Sequence, residues 1–118
     1  MNPKRRVVIL GATGSIGTNA LRVIRAHRDR LELVGIASRS RVDNLAAIAH
    51  EFNVRDVAIF DPGQESPDSL KSRFPAGSRI HTGMDGLIEI ATMPEADMVL
   101  VAVVGTTALI PCIQAIRC

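Results

Sequence analysis

The tightest constraint on what this chain can fold into lies near its N-terminus. The apolar run Val7-Val8-Ile9-Leu10 leads straight into Gly11-Ala12-Thr13-Gly14-Ser15-Ile16-Gly17. A short run that is apolar at every position, rather than at alternate ones, reads as a strand buried on both faces of a parallel sheet. Downstream, Ile16, Ala20, Val23, Ile24 and His27 fall at helical spacing, so a helix opens as the glycines end. Strand, glycine turn and helix in that order form the first unit of a βαβ fold. The spacing G-x-x-G-x-x-G is a relative of the phosphate-binding fingerprint of dinucleotide domains.

The chemistry follows from the residue types. Gly11 permits a tight turn out of the strand, Gly14 leaves the backbone open to a pyrophosphate, and Gly17 lets the helix pack closely on the sheet. The amides of Thr13, Gly14, Ser15 and Ile16 would point outward at a helix N-terminus, where unpaired N–H groups and the macrodipole favour an anion. The Thr13 and Ser15 hydroxyls can add hydrogen bonds. A glycine turn that binds nothing has the same spacing. The place of this one, at the first strand-to-helix junction of an alternating chain, favours the phosphate reading.

That alternation continues. Strands are expected over residues 31–37, 57–60, 79–81 and 98–104. Helices are expected over Leu45, Ile48, Ala49 and Phe52, around Leu70, and over Met84, Leu87, Ile88 and Ala91 with Thr82 as N-cap. A last helix would start near Thr107, with Pro111 in its first turn and Cys112 on its inner face. The fold class this predicts is α/β, a Rossmann-type doubly wound parallel sheet in a single domain spanning residues 1–118.

In domains that bind NAD, a carboxylate at the end of the second strand, about 20 residues on, takes the ribose 2′-hydroxyl. Here that place reads Ser38-Arg39-Ser40-Arg41. Two guanidiniums and two hydroxyls suit a dianionic 2′-phosphate, which a carboxylate would repel. The cofactor expected is therefore NADP(H).

Composition narrows the rest. A formal charge of +2 and the absence of Trp and Tyr give no footprint for nucleic acid. The longest apolar stretch is far below the roughly 20 residues that span a bilayer, so no membrane partner is expected. Lys4, Arg5 and Arg6 precede an apolar run too short for a secretory leader. Cys112 and Cys118 make no disulfide framework, and a reduced cytoplasmic setting is the simplest reading. His27, His50 and His81 lack metal-ligand spacing, Asp61 reads as a turn residue, and Asp85, Glu89, Glu95 and Asp97 read as a solvated face. No catalytic residue and no metal ligand is assigned.

With these residues in view, the chain resembles the N-terminal, NADPH-binding domain of the 1-deoxy-D-xylulose 5-phosphate reductoisomerases. The opening Val8-Ile9-Leu10-Gly11-Ala12-Thr13-Gly14-Ser15-Ile16-Gly17 carries the likeness. So does Ala102-Val103-Val104-Gly105-Thr106-Thr107-Ala108-Leu109-Ile110-Pro111, followed by Ala115-Ile116. The resemblance implies NADPH-dependent conversion of 1-deoxy-D-xylulose 5-phosphate to 2-C-methyl-D-erythritol 4-phosphate in non-mevalonate isoprenoid biosynthesis, by a parent protein expected to be a homodimer. It implies that Thr13, Gly14, Ser15 and Ile16 hold the pyrophosphate, with Gly11 shaping their turn. Arg39, Ser40 and Arg41 would meet the 2′-phosphate. Ala102, Val103 and Gly105 would lie beside the dinucleotide towards its nicotinamide. Family members often carry Gly-Lys-Asn where this chain has Arg39-Ser40-Arg41, and often glycine at Ala108.

A divalent metal, Mg or Mn, is expected only in the full-length parent, whose catalytic and C-terminal domains would follow a chain that stops within a helical pattern at Arg117-Cys118. These residues alone are expected to bind cofactor and catalyse nothing. Alternatives are the cofactor domain of another NADP-dependent oxidoreductase, such as a semialdehyde dehydrogenase or a dihydrodipicolinate reductase, and a stand-alone nucleotide-sensing module.

Overall fold

The computed structural model describes residues 4–64 and 66–102. In chain order the elements are β1 Arg5–Leu10, α1 Ser15–Ala26, β2 Leu31–Ser38, α2 Val42–Phe52, β3 Asp56–Ile59, α3 Pro67–Arg73, β4 Arg79–Thr82, α4 Gly83–Ala91 and β5 Met98–Val101. The strands form one five-stranded sheet in the order β4-β3-β2-β1-β5, with every neighbouring pair parallel. The α/β doubly wound sheet expected from the sequence is thus the one observed. The expected residues Val103 and Val104 of the last strand, the last helix from Thr107 with Pro111 and Cys112, and the motif through Ile116 lie outside the described residues.

The apolar run of β1 divides by alternation between two cores. Val7 and Ile9 join Leu33, Ile36, Val57 and Ile59 beneath α1, α2 and α3, which contribute Leu21, Ile24, Val42, Leu45 and Leu70. Val8 and Leu10 join Ala37 and Ala58 beneath α4, which contributes Leu87, Ile90 and Ala91. A strand covered on both sides has no solvent face, which is why residues 7–10 carry no polar position.

The buried face of α1 matches the expected one only in part: Ile24 is in the core and Ala20 packs against it, as the spacing predicts. Gly17, Leu21 and Ile24 are buried, whereas Ile16 and Val23 are 58% and 54% exposed and His27 is the C-cap. Both sets have helical spacing. Close packing decides between them, because a Cβ on Gly17 would stand 2.2 Å from the Gly11 carbonyl oxygen, so only a glycine can face the sheet there.

Other boundaries shift for local reasons. Helix α2 starts a turn before Leu45 because Val42 is already buried. Strand β3 takes in Asp56 and ends before Phe60. Asp56 is in register with Arg79 on β4, and its carboxylate lies 2.8 Å from that guanidinium. Thr82 occupies the N-cap position of α4 but makes no side-chain hydrogen bond to it. Strand β5, apolar throughout, has β1 as its one neighbour among the described residues, and Met98 is 42% exposed. Its apolar composition says that it packs, not how many strands flank it.

The chain runs outward from β1 through β2 and β3 to β4, then returns past β1 to β5. That reversal places a topological switch point between β1 and β5, at whose carboxyl ends open α/β sheets form their crevice. Far from it, α1 and α2 are tied at their C-terminal ends. Arg25 donates to Glu51 over 2.9 Å, and Arg25 and Arg28 both stack on Phe52. The hydrogen bond from Arg25 holds the Glu51 carboxyl below the usual carboxylate range.

Candidate cofactor-binding site

At the mouth of the switch point, β1 turns sharply into α1. Gly11 sits at φ 92°, a conformation that L side chains rarely adopt. The Gly11 and Ala12 amides both donate to the Ala37 carbonyl, at 2.8 and 2.9 Å, and Gly14 N–H donates back to the Gly11 carbonyl at 3.2 Å. The glycine turn is thereby fastened to the end of β2 by backbone alone, leaving the Thr13 and Ser15 hydroxyls available for a ligand.

Helix α1 begins with amides that lie outside its own hydrogen-bond ladder. Its first internal hydrogen bond runs from Thr18 N–H to the Gly14 carbonyl at 2.8 Å, so the amides of Ser15, Ile16 and Gly17 precede the intrahelical ladder. The N-cap is a glycine without a side chain to cap them, and the first turn carries no acidic residue. The positive end of the helix is left uncompensated over its three turns.

The three glycines have different jobs. Gly11 supplies the turn. Gly17 supplies the close approach described above. Gly14 adopts φ −81° and ψ 176°, ordinary extended backbone, so no strain requires glycine there. A Cβ on Gly14 would have only the Gly11 oxygen at 3.7 Å and the Ala102 oxygen at 3.9 Å nearby, both at ordinary contact distance. Its missing side chain therefore keeps the mouth open without being needed for packing. This is the fit expected of a cradle for a dinucleotide phosphate.

Ala102 reaches the same mouth from the far end of the described chain. Its amide donates to the Leu10 carbonyl at 2.7 Å, continuing the β1–β5 ladder by one residue. The structure thus brings together Gly11, Thr13, Gly14, Ser15, Ile16 and Ala102. Val103 and Gly105 lie outside the described residues.

The second loop flanks this mouth. Phe60 N–H donates to the Ser38 carbonyl at 3.1 Å and Asp61 N–H to the Arg39 carbonyl at 2.7 Å, while the Ser40 carbonyl accepts from Val42 N–H at 2.9 Å. The backbone is pinned, and the side chains of Arg39, Ser40 and Arg41 project outward, all three residues being exposed. Nearby carboxylates are engaged elsewhere: Asp61 accepts from Gly63 N–H at 3.1 Å, and Asp43 pairs with Arg73. Two guanidiniums on a fixed loop, beside a helix N-terminus, make a positive rim suited to a phosphate.

The two hydroxyls of Ser38-Arg39-Ser40-Arg41 have different places in the fold, Ser40 being exposed and Ser38 buried. Ser38, the last residue of β2, is 4% exposed, and its hydroxyl has no hydrogen-bond partner among the described residues. The spacing from the glycine turn marks its place, but its burial and partnering appear only in the folded chain.

Residues set aside in the sequence have structural places. Asp97 accepts from the Arg6 amide at 2.9 Å and its guanidinium, which hold its carboxyl below the usual range. His50 Nε2 lies 2.9 Å from the Arg73 carbonyl oxygen, joining α2 to α3. Asp85, Glu89 and Glu95 are exposed.

Comparison with known proteins agrees with this architecture. The family model described as 1-deoxy-D-xylulose 5-phosphate reductoisomerase matches residues 7–118. The chain is 41% identical over 113 residues to the reductoisomerase of Thermodesulfovibrio yellowstonii, covering 96% of this chain and 29% of that protein. It is 42% identical over 111 residues to that of Geobacillus sp. (strain WCH70), covering 94% and 29%. Among solved structures, the Zymomonas mobilis enzyme in complex with NADPH superimposes with a TM-score of 0.87 at 33% identity, over 98% of this chain and 30% of that one. A reductoisomerase in complex with NADPH, fosmidomycin and magnesium matches with a TM-score of 0.81 at 35% identity, over 94% and 27%. The chain spans less than a third of the length of these relatives. By sequence along nearly its whole length, and by superposition over 98% of it, the chain belongs to the 1-deoxy-D-xylulose 5-phosphate reductoisomerase family.

Proposed function

We propose that these residues are the NADPH-holding part of an enzyme that converts 1-deoxy-D-xylulose 5-phosphate to 2-C-methyl-D-erythritol 4-phosphate. The observation that carries the proposal is the mouth at the switch point. There an uncapped helix N-terminus, an open Gly14 and the Ala102 backbone converge from opposite ends of the described chain. Thr13, Gly14, Ser15 and Ile16 would hold the pyrophosphate, and Arg39, Ser40 and Arg41 the 2′-phosphate. Ala102, with Val103 and Gly105, would flank the nicotinamide. When bound, NADPH supplies the hydride for the reduction. The chain's own part is to bind and orient it and to keep one face of the crevice dry. A divalent metal, a homodimeric assembly and a cytoplasmic setting complete the proposal for the whole protein and rest on the family resemblance. No helix of the described residues is long and apolar enough to cross a membrane.

The test is Gly14→Val. Its φ and ψ suit valine, and no atom obstructs the first added carbon, so the fold should lose no more than about 1 kcal/mol. The branched side chain would occupy the phosphate approach, and calorimetric titration should show NADPH binding abolished. A folded variant that binds NADPH like the parent chain overturns the cradle. In a parallel assay with 1-deoxy-D-xylulose 5-phosphate and Mg²⁺, the 118-residue chain should consume no NADPH above a blank, because the proposal assigns the rearrangement to the rest of the protein. Turnover by this chain would show that division of labour to be wrong.

A further inference from the structure

Strand β2 ends on a hydroxyl that the described fold does not use. Ser38 is 4% exposed and its Oγ has no hydrogen-bond partner among the described residues. A buried, unpartnered hydroxyl destabilises the fold that contains it, and alanine would keep the backbone and Cβ packing while removing that cost. A group held at such a disadvantage in the free protein is a candidate for a role in the bound one.

Its position indicates which role. Ser38 closes the β2–β3 ladder opposite Ile59, and its own carbonyl is taken by Phe60 N–H, so the backbone is fixed. Alternation along β2 puts its side chain on the face of Ile36, where α1 and α2 pack. It lies one residue past Ala37, whose carbonyl fastens the glycine turn, and one residue before Arg39. A turn about Cα–Cβ moves Oγ between staggered positions without disturbing this frame. In dinucleotide domains the acidic side chain at the end of the second strand meets the substituent on the ribose 2′ carbon. A carboxylate there would repel a phosphate, whereas a hydroxyl is neutral and can donate to one.

We propose that Ser38 is a specificity-determining residue whose Oγ–H donates a hydrogen bond to the 2′-phosphate of NADPH, a proposal that rests on the cofactor reading above. It joins Arg39 and Arg41 in separating NADPH from NADH, from inside the strand rather than from the exposed loop.

The test uses Ser38→Ala and the near-isosteric Ser38→Cys, whose thiol is a weak donor, titrated with NADPH and separately with NADH. Both variants should bind NADPH about tenfold more weakly, the worth of one charge-assisted hydrogen bond, and NADH within about twofold of the parent chain. The ligand-free melting temperature of Ser38→Ala should be unchanged or higher, which a merely structural serine would not allow. Unchanged NADPH affinity in both variants overturns the inference while leaving the cofactor reading intact. Equal losses for the two dinucleotides overturn the assignment to the 2′-phosphate. If the parent chain binds neither dinucleotide, the cofactor reading falls, and this inference with it.

Discussion

Replacing Gly17 with alanine should destabilise the chain by on the order of 3 kcal/mol or more, a large share of what holds a small domain together. The added carbon would stand 2.2 Å from the Gly11 oxygen, 2.8 Å from the Ala12 Cα and 2.9 Å from the Ala12 carbonyl carbon. All three are backbone atoms in the glycine turn, so no side chain can rotate away. Relief would require α1 to lift from the sheet, withdrawing Leu21 and Ile24 from the core they share with Val7 and Ile9. Urea unfolding of Gly17→Ala beside Gly14→Ala measures the difference. Gly14→Ala meets nothing closer than 3.7 Å and should cost less than about 1 kcal/mol. Similar costs at the two positions would mean that the helix tolerates a wider approach than the geometry allows.

The second large effect concerns cofactor choice. The chain should bind NADPH more tightly than NADH by on the order of 2–4 kcal/mol, the worth of one or two charge-assisted contacts. Replacing Arg39 and Arg41 together with alanine should remove most of that preference and leave NADH affinity nearly unchanged. Both residues are exposed on a loop whose backbone is pinned by Asp61 and Val42, so their loss should not disturb the fold. Because the guanidiniums face water, the preference should also shrink as salt is raised. Calorimetric titrations of the parent chain giving equal affinities for the two dinucleotides would refute this reading of the loop.

The legible parts of this protein were those written into local chemistry. Residues 7–10 announce a strand covered on both faces because none of them is polar. Gly11, Gly14 and Gly17 announce a turn into a helix because few other residues could serve a tight bend and a close approach within seven positions. The basic loop at residues 39–41 could be placed at the end of the second strand because that place is set by chain order, and β2 ends at Ser38. These are properties of short stretches, and short stretches are what periodicity and residue type report.

What remained hidden depended on partners distant in the chain. Two apolar faces were available to α1, one through Ile16 and Val23 and one through Leu21 and Ile24. The contact of Gly17 with the Gly11 turn chose the second, leaving Ile16 free at the site's rim. The apolar composition of β5 could not reveal that β1 alone flanks it among the described residues, since one neighbour or two can bury the same side chains. Asp56 reads as a loop residue until Arg79 is set beside it by the β3–β4 register.

Sequence alone therefore determined the kind of fold and the glycine turn, because glycine placement and apolar runs act through local sterics and burial. Only the tertiary structure decided which face of α1 is buried, that Ala102 reaches the mouth beside Gly14, and that the Ser38 hydroxyl has no hydrogen-bond partner among the described residues. Each of those depends on backbone atoms brought together from separate parts of the chain, and no local pattern encodes that proximity.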